Sequence, residues 1–253
     1  MDNIEFFSSI FADSPSPMVS NKYQFIRTSD VLDSLSDLGW TPRTATEVKA
    51  RKPHTRGFQK HLIRLSNPGF SPTKEVGSEV PEIVLTNSHD GKNSFSFRIG
   101  IYRMVCSNGL IVPTEEFSNI TIKHIGSMAS QIKDVVEKIH TNFSGIYTDI
   151  GKMKSRELSP KEFNDFSRRA LETRSLNLPQ NLSSDARQIL VPQRTEDEGN
   201  DLWRIYNRAQ ENLSHGNFDI RTKKGSRRAI PLKSITKNIQ MNEDLWKLAK
   251  SYL

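Results

Sequence analysis

Six histidines, one cysteine and a handful of paired carboxylates are the side chains in this sequence from which acid–base, nucleophilic or metal chemistry could be built. The histidines (His54, His61, His89, His124, His140 and His215) are scattered, with neither H-x-x-x-H nor C-x-x-C spacing, so no metal centre is expected. Glycine-rich phosphate loops of the G-x-x-x-x-G-K and G-x-G-x-x-G types are absent. Of the paired acids, Glu115-Glu116 has no evident partner, and Glu196-Asp197-Glu198 reads as the acidic first turn of a helix. A nucleophile pair could be made from Cys106 and His89, oriented by Asp90 or Asn108. His89 sits at a turn, however, and Cys106 lies about eleven residues past the start of the returning strand, on the order of 35 Å along an extended chain. Only a sharp bend or a second subunit would join them. Cys106 therefore reads as a small buried side chain beside the Asn108-Gly109 turn. No catalytic residue, metal or cofactor is expected.

The other chemistry on offer is cationic. The net charge is +7 over 253 residues, which favours an anionic partner such as nucleic acid. Between Arg43 and Arg64, the cations Arg43, Lys49, Arg51, Lys52, Arg56, Lys60 and Arg64 accompany a single acid, Glu47. Between Arg221 and Lys237, the cations Arg221, Lys223, Lys224, Arg227, Arg228, Lys233 and Lys237 accompany none. Basic loops with Phe58 and Tyr102 available for stacking suit the tracking of a phosphate backbone, although a solvated surface loop has the same composition. Lys92 in the His89-Asp90-Gly91 turn and Arg98 on the following strand add to this set, while Arg103 falls on the opposite strand face, at an edge or against an acid. The expected nucleic-acid contacts are Lys49, Arg51, Lys52, Arg56, Phe58, Lys60, Lys92, Arg98, Arg221, Lys223, Lys224, Arg227 and Arg228.

These residues need positioning elements. Ile83-Val84-Leu85-Thr86 is short and apolar, Asp90-Gly91 and Asn93-Ser94 supply turn chemistry, and Phe95, Phe97, Ile99 and Ile101 alternate with Ser96, Arg98 and Gly100. That is the pattern of a central β-hairpin with a polar, basic outer face. Flanking strands are predicted at Phe58–Leu65, Leu110–Val112 and Ile120–His124, with the stretch from Arg43 to the first of these read as a loop. A helix capped by Ser29 or Asp30 buries Leu32, Leu35 and Leu38, ends at Gly39 and is followed by Trp40. Ser127 begins a second helix with Ile132, Val135, Val136, Ile139 and Phe143 on one stripe, expected to cross the apolar face of the sheet. Ser159-Pro160-Lys161-Glu162 is a capping box for a third, and Thr195-Glu196-Asp197-Glu198 for a fourth. Arg221–Lys237 reads as a flexible loop before a last helix from Asn242.

The expected fold class is α+β: an antiparallel sheet built around the central hairpin, covered by helices, with a mainly helical C-terminal part. Residues 1–28 form an arm docking on its own core or on a neighbouring subunit, 29–180 the α+β core, and 181–253 the helical region with its basic loop. Strands with a long covering helix resemble the core of single-strand annealing proteins at the level of fold.

Longer blocks carry a second resemblance. Asn87-Ser88-His89-Asp90-Gly91, followed by Gly100-Ile101-Tyr102-Arg103-Met104-Val105-Cys106-Ser107-Asn108-Gly109-Leu110, is similar to the phage/plasmid-like family of uncharacterised proteins carried on prophages and plasmids. Lys123-His124-Ile125-Gly126, the run from Asp201-Leu202-Trp203 through Asn207, Gln210-Glu211-Asn212 and Gly216, and Asn242-Glu243-Asp244-Leu245-Trp246 fit the same family. The resemblance implies a mobile-element protein and leaves its activity open. Taken with the charge, it leads to a nucleic-acid-binding protein, acting on single-stranded DNA in recombination or replication in the cytoplasm of a bacterial host. Homo-oligomerisation is left open and no membrane partner is expected. The rival classes are an anti-defence or regulatory protein acting through protein–protein binding, and, less favoured, an enzyme.

Overall fold

Pairing of strands that neighbour one another in sequence yields an antiparallel meander. The computed structural model of the chain describes residues 7–70, 79–103, 109–112, 128–174, 186–222 and 225–253. It is an α+β protein, and among the described residues its main sheet has five strands in the order β1 (Thr41–Glu47), β2 (His61–Ser66), β3 (Glu79–Asn87), β4 (Ser96–Arg103), β5 (Gly109–Val112), each strand antiparallel to the next. The contacts divide the chain into two compact units, residues 1–143 and 144–253.

In the first unit, register sorts the side chains onto two faces. His61, Ile63, Leu65, Ile83, Leu85, Phe97, Ile99 and Ile101 share the apolar face and are all buried. Leu62, Arg64, Glu82, Val84, Thr86, Ser96, Arg98 and Tyr102 share the other, where Ser96, Arg98 and Tyr102 are half-buried. The alternation read from β4 holds. Arg103 lies on the face opposite to Arg98, with Glu79 across from it and both buried.

In the first unit one strand escaped the sequence reading. Thr41–Glu47, whose residues from Arg43 onward were read as a basic loop, is the edge strand β1. Its Pro42 is tolerated because an edge strand needs only one set of ladder bonds, and the register shifts between Pro42 and Thr44. Arg43 is thereby aimed inward. It and Arg64 both bond the fully buried Glu82, at 2.6 and 2.8 Å, while the Arg43 guanidinium lies 3.8 Å from the Tyr102 ring centroid. Two of the seven cations of this segment are thus structural, and one face of Tyr102 is already covered.

Helix α1 (Thr28–Asp37) buries Val31, Leu32 and Leu35. Neither Ser29 nor Asp30 caps it: Arg27 holds the cap position without a side-chain bond, and Asp30 sits in the first turn. The fully buried Trp40 stacks on Phe70 at 5.4 Å, and both touch α2 (Met128–Ser155), Trp40 through Phe143 and Phe70 through His140. Cys106, Asn108, the expected strand at Ile120–His124 and the Ser127 cap lie outside the described residues.

In the second unit, α3 (Pro160–Glu172) starts at the capping box read from sequence: Glu162 N–H donates to Ser159 Oγ, and Ser159 N–H to Glu162 Oε2 at 2.9 Å. Phe166, Ala170 and Leu171 are buried. The other signature failed. Thr195–Asp197 is only a short 3-10 turn, and α4 (Leu202–His215) begins later, with Asp201 Oδ1 accepting from Arg204 N–H at 3.0 Å. A second 3-10 turn, Ala186–Leu190, buries Ile189 and Leu190.

Helix α4 is buried on nearly every side, and most of its polar residues bond inside the unit, while the Tyr206 hydroxyl and Asn212 Oδ1 are buried without a hydrogen-bond partner. Asn212 donates to the carbonyls of Ile189 and Val191, Gln210 to Asn242, Asn207 to Trp203 O, and Glu211 pairs with Arg194. The polar letters of this block are thus clamps of the helical unit. Arg221–Lys237 is not a loop: Asp219–Thr222 (β6) and Gly225–Arg228 (β7) pair as a hairpin. Helix α5 (Ile235–Lys250) then starts with Ser234 as cap, seven residues before the expected Asn242, because Ile235 and Ile239 join the buried stripe of Leu245 and Leu248. Among the described residues no helix is long and apolar enough to cross a membrane.

Gly216 ends α4 at φ +74°, and a Cβ there would lie 2.6 Å from the Ala229 carbonyl oxygen. Gly216→Ala is expected to cost more than about 2 kcal/mol in urea unfolding, through left-handed strain and backbone displacement. Gly145→Ala, in α2 with open space around it, should instead stabilise by about 0.5–1 kcal/mol. Equal effects at the two positions would refute this account of Gly216.

Candidate functional site

The register pairs His61 with both Glu47 and Asn87, so the β1–β2 loop (48–60) and the β3–β4 loop (88–95) leave the same end of the sheet. At this end Lys49, Arg51, Lys52, Arg56 and Lys92 are exposed, while Phe58 and Lys60 are half-buried at the base of the first loop. The four exposed cations of that loop have no acidic partner among the described residues. Lys92 leans toward Asp90 at 3.6 Å.

Backbone bonds hold the loop in shape. Val48 N–H donates to Lys60 O, a 3-10 turn spans Pro53–Thr55, and Phe58 N–H donates to Thr55 O. His89 N–H donates to Phe58 O at 2.9 Å, which ties the basic loop to the Asn-Ser-His-Asp-Gly turn.

Beneath the loops lies a buried polar chain that sequence reasoning missed. Ser9 Oγ donates to Glu47 Oε2 at 2.8 Å, and His61 Nδ1 lies 3.1 Å from the same hydroxyl. Thr28 Oγ1 lies 3.0 Å from His61 Nε2 and 3.3 Å from His89 Nε2, and it accepts from Asn87 Nδ2 at 3.1 Å. The carboxylate fixes the protons. Because Glu47 can only accept, Ser9 gives it the hydroxyl proton and accepts from His61 Nδ1–H. His61 Nε2 then accepts from Thr28 O–H, and Thr28 accepts from Asn87 and from His89 Nε2–H. This leaves His89 Nδ1 buried with no hydrogen-bond partner.

Both rings are held neutral. Burial, aided by repulsion from His89, lowers the His61 pKa to about 3. Burial lowers that of His89 to about 4, with the nearby Ser9 backbone and Asp90 acting in the opposite sense. Neither imidazole has any exposed surface, so neither is a base that a substrate reaches from solvent in this conformation. The chain is a structural staple.

That staple seizes the N-terminal arm. Besides Ser9, Ser16 N–H donates to His89 O at 2.8 Å, Tyr23 O–H to Ser88 O at 2.9 Å, and Asn87 to Ile26 O at 3.2 Å. Ile10 is fully buried. The arm is therefore docked on its own core from residue 7 onward. The turn is built for this: Gly91 adopts φ +73°, and a Cβ there would press on Val19 at 3.2 Å. Glu47, the lone acid in a basic stretch, was the one visible signal of a buried partner.

On the polar sheet face, Arg98 Nη1 donates to Ser96 Oγ at 2.7 Å, and Ser96 Oγ lies 2.7 Å from Thr86 Oγ1. In the second unit Arg221, Arg227 and Arg228 are exposed on the β6–β7 hairpin. Register puts Arg221 and Arg228 on one side with Asp219, which Arg228 approaches at 3.8 Å, and Arg227 on the other side with Ile220. Lys223 and Lys224 lie outside the described residues. The expected contacts thus fall into two clusters, one in each unit. Among the described residues no group of three or more His, Cys, Asp or Glu is arranged to hold a metal ion.

An α+β chain with these blocks belongs to a family of unknown function: the model of the domain of unknown function DUF932 matches residues 16–246, and the chain is a member of that family. Its relatives include UPF0380 protein YfjQ and UPF0380 protein YafZ of Escherichia coli strain K12. Each is 34% identical over 248 residues, covering 97% of this chain and 88% of the relative. No solved structure matches.

The neutral histidines set an acid limit on the fold. Their folded pKa values lie below the unfolded value near 6.5, so the unfolded chain binds protons first as pH falls. Their contribution is complete above about pH 6.5 and is lost progressively toward pH 4 and below. The melting temperature should be flat from pH 8 to 7 and decline below 6, while the ring nitrogens of His61 and His89 keep neutral-imidazole NMR shifts at pH 5.5. Protonated shifts at that pH would contradict the proposed staple. Thr28→Val, which keeps the shape and removes the shared hydroxyl, should cost about 2–3 kcal/mol.

Proposed function

We propose that this protein binds nucleic acid, with single-stranded DNA as the favoured ligand, and serves recombination or replication of a phage- or plasmid-borne element in the bacterial cytoplasm. The observation that carries the reading is the β1–β2 loop: Lys49, Arg51, Lys52 and Arg56 stand exposed within eight residues, with no acid among them. A loop fixed by a 3-10 turn and a bond to His89 presents these charges with little further ordering on binding. Phe58 at its base offers a ring to a base, and Lys92 extends the cationic rim. Arg221, Arg227 and Arg228 supply a second set of phosphate contacts on the hairpin. The mobile-element setting rests on the resemblance of the Asn87–Gly91 and Gly100–Leu110 blocks to phage/plasmid-like proteins.

Backbone capture has a salt signature. Binding of a labelled oligonucleotide of about 20 nucleotides should weaken steeply between 50 and 200 mM salt. Replacing Lys49, Arg51, Lys52 and Arg56 together by Gln should reduce the log–log salt slope by about 2 to 3, at about 0.7 per phosphate contact, and leave the fold intact. Absence of binding at 50 mM salt, or binding indifferent to salt, would remove the reading and favour a protein partner.

A further inference from the structure

Exposed apolar side chains in the first unit gather at one end. Among the described residues its exposed large hydrophobic side chains are Phe11 (45% exposed), Met18 (77%) and Val48 (43%). Each is tied to the loop end of the sheet by a bond close to it in sequence. Ser9, two residues before Phe11, donates to the Glu47 carboxylate from its N–H and its hydroxyl, at 3.3 and 2.8 Å. Val48 follows Glu47 in the chain, and Lys49 comes next. Ser16, two residues before Met18, donates its N–H to His89 O at 2.8 Å. Two residues span at most about 7 Å of chain, so Phe11 lies within one such span of the Ser9–Glu47 bond, and Lys49 within another. Between Ser9 and Phe11, the fully buried Ile10 anchors the arm. Scattered singly, exposed apolar residues need no explanation; grouped beside a cluster of exposed cations, they mark a binding surface.

Phe11 is also the only exposed Phe, Tyr or Trp among the described residues. Phe58 is half-buried, Phe25 is half-buried with its ring centroid 4.9 Å from that of His89, and Arg43 covers one face of Tyr102. The cations of the loop select a polyanion. An open ring selects one whose base faces are unstacked, which a single strand offers and a duplex does not.

We propose that the N-terminal arm carries a base-stacking residue of the nucleic-acid site: the ring of Phe11, beside the cations of the β1–β2 loop. This rests on the nucleic-acid reading and narrows it to strands with unpaired bases. The arm, docked on the sheet through Ser9 and Ile10, then has a second task besides closing the unit.

The test uses the full chain and two single strands of about 20 nucleotides, one of thymidine and one abasic, which present the same phosphates. Wild type should bind the thymidine strand about 5- to 150-fold more tightly than the abasic one. Phe11→Ala should lose most of that preference while its log–log salt slope stays as in wild type, since stacking releases no counterions. Phe11→Trp should keep the preference, and its emission should be quenched by the thymidine strand and not by the abasic one, against the steady background of the buried Trp40, Trp203 and Trp246. A folded Phe11→Ala that retains the wild-type preference overturns the stacking role and leaves the nucleic-acid reading standing, as does a wild type that binds both strands equally. Should Phe11→Ala fail to fold by circular dichroism, a Phe11→Trp variant whose emission the thymidine strand leaves unchanged overturns the role instead. A wild type that binds neither strand removes the nucleic-acid reading and the role of Phe11 with it, and assigns the exposed patch to a protein partner.

Discussion

One hydroxyl governs the first unit. Thr28 Oγ1 lies within hydrogen-bonding distance of a ring nitrogen on each of two buried imidazoles while also accepting from Asn87. With His61 and His89 rings 5.5 Å apart in the interior, a charge on either would be unscreened, so the network must run through neutral rings in one order of protons. Arm, helix start, strand β2 and the β3–β4 turn are all fixed by that order. The basic loop inherits its position from the same place, through the bond from His89 to Phe58.

A second buried group shapes the electrostatics. Glu82 lies between two arginines on the opposite face, an arrangement tolerable in an interior only because each carboxylate oxygen has its own guanidinium partner. It converts Arg43 and Arg64 from surface charges into packing elements, and Arg43 in turn lies over Tyr102. In the first unit the exposed positive charge is therefore narrower than a count along the chain suggests, and Lys49, Arg51, Lys52 and Arg56 carry it in the β1–β2 loop.

Local signals were readable where one segment decided its own conformation. The alternation of Phe97, Ile99 and Ile101 gave a strand, and Ser159-Pro160-Lys161-Glu162 gave a helix start, because burial period and capping are short-range. β1 was hidden because Thr41–Glu47 is polar and contains proline; it is a strand only because β2 lies beside it. Thr195 imitates a cap, yet the chain leaves its short turn at Glu198 in an extended conformation, and Asp201 does the capping. The β6–β7 hairpin was masked by its charge, since both strands of four residues carry little to bury. At the candidate site the cations were evident from composition. The staple was not, since Ser9 meets Glu47 across 38 residues and His61 across 52. No local pattern encodes such a meeting.

That long reach also sets an order of assembly. Ser9 and Ser16 can find their places only after β1, β2 and the β3–β4 turn have come together, because Glu47, His61 and His89 form the seat. Closing such a loop adds its entropic penalty to an already formed sheet, so the arm settles after its seat and can lift without unpairing a strand. A protease cutting between residues 10 and 27 would thus act on a segment outside the sheet ladder. By freeing Ser9 it would strip the inner imidazole of the hydroxyl at its Nδ1 without touching a single strand.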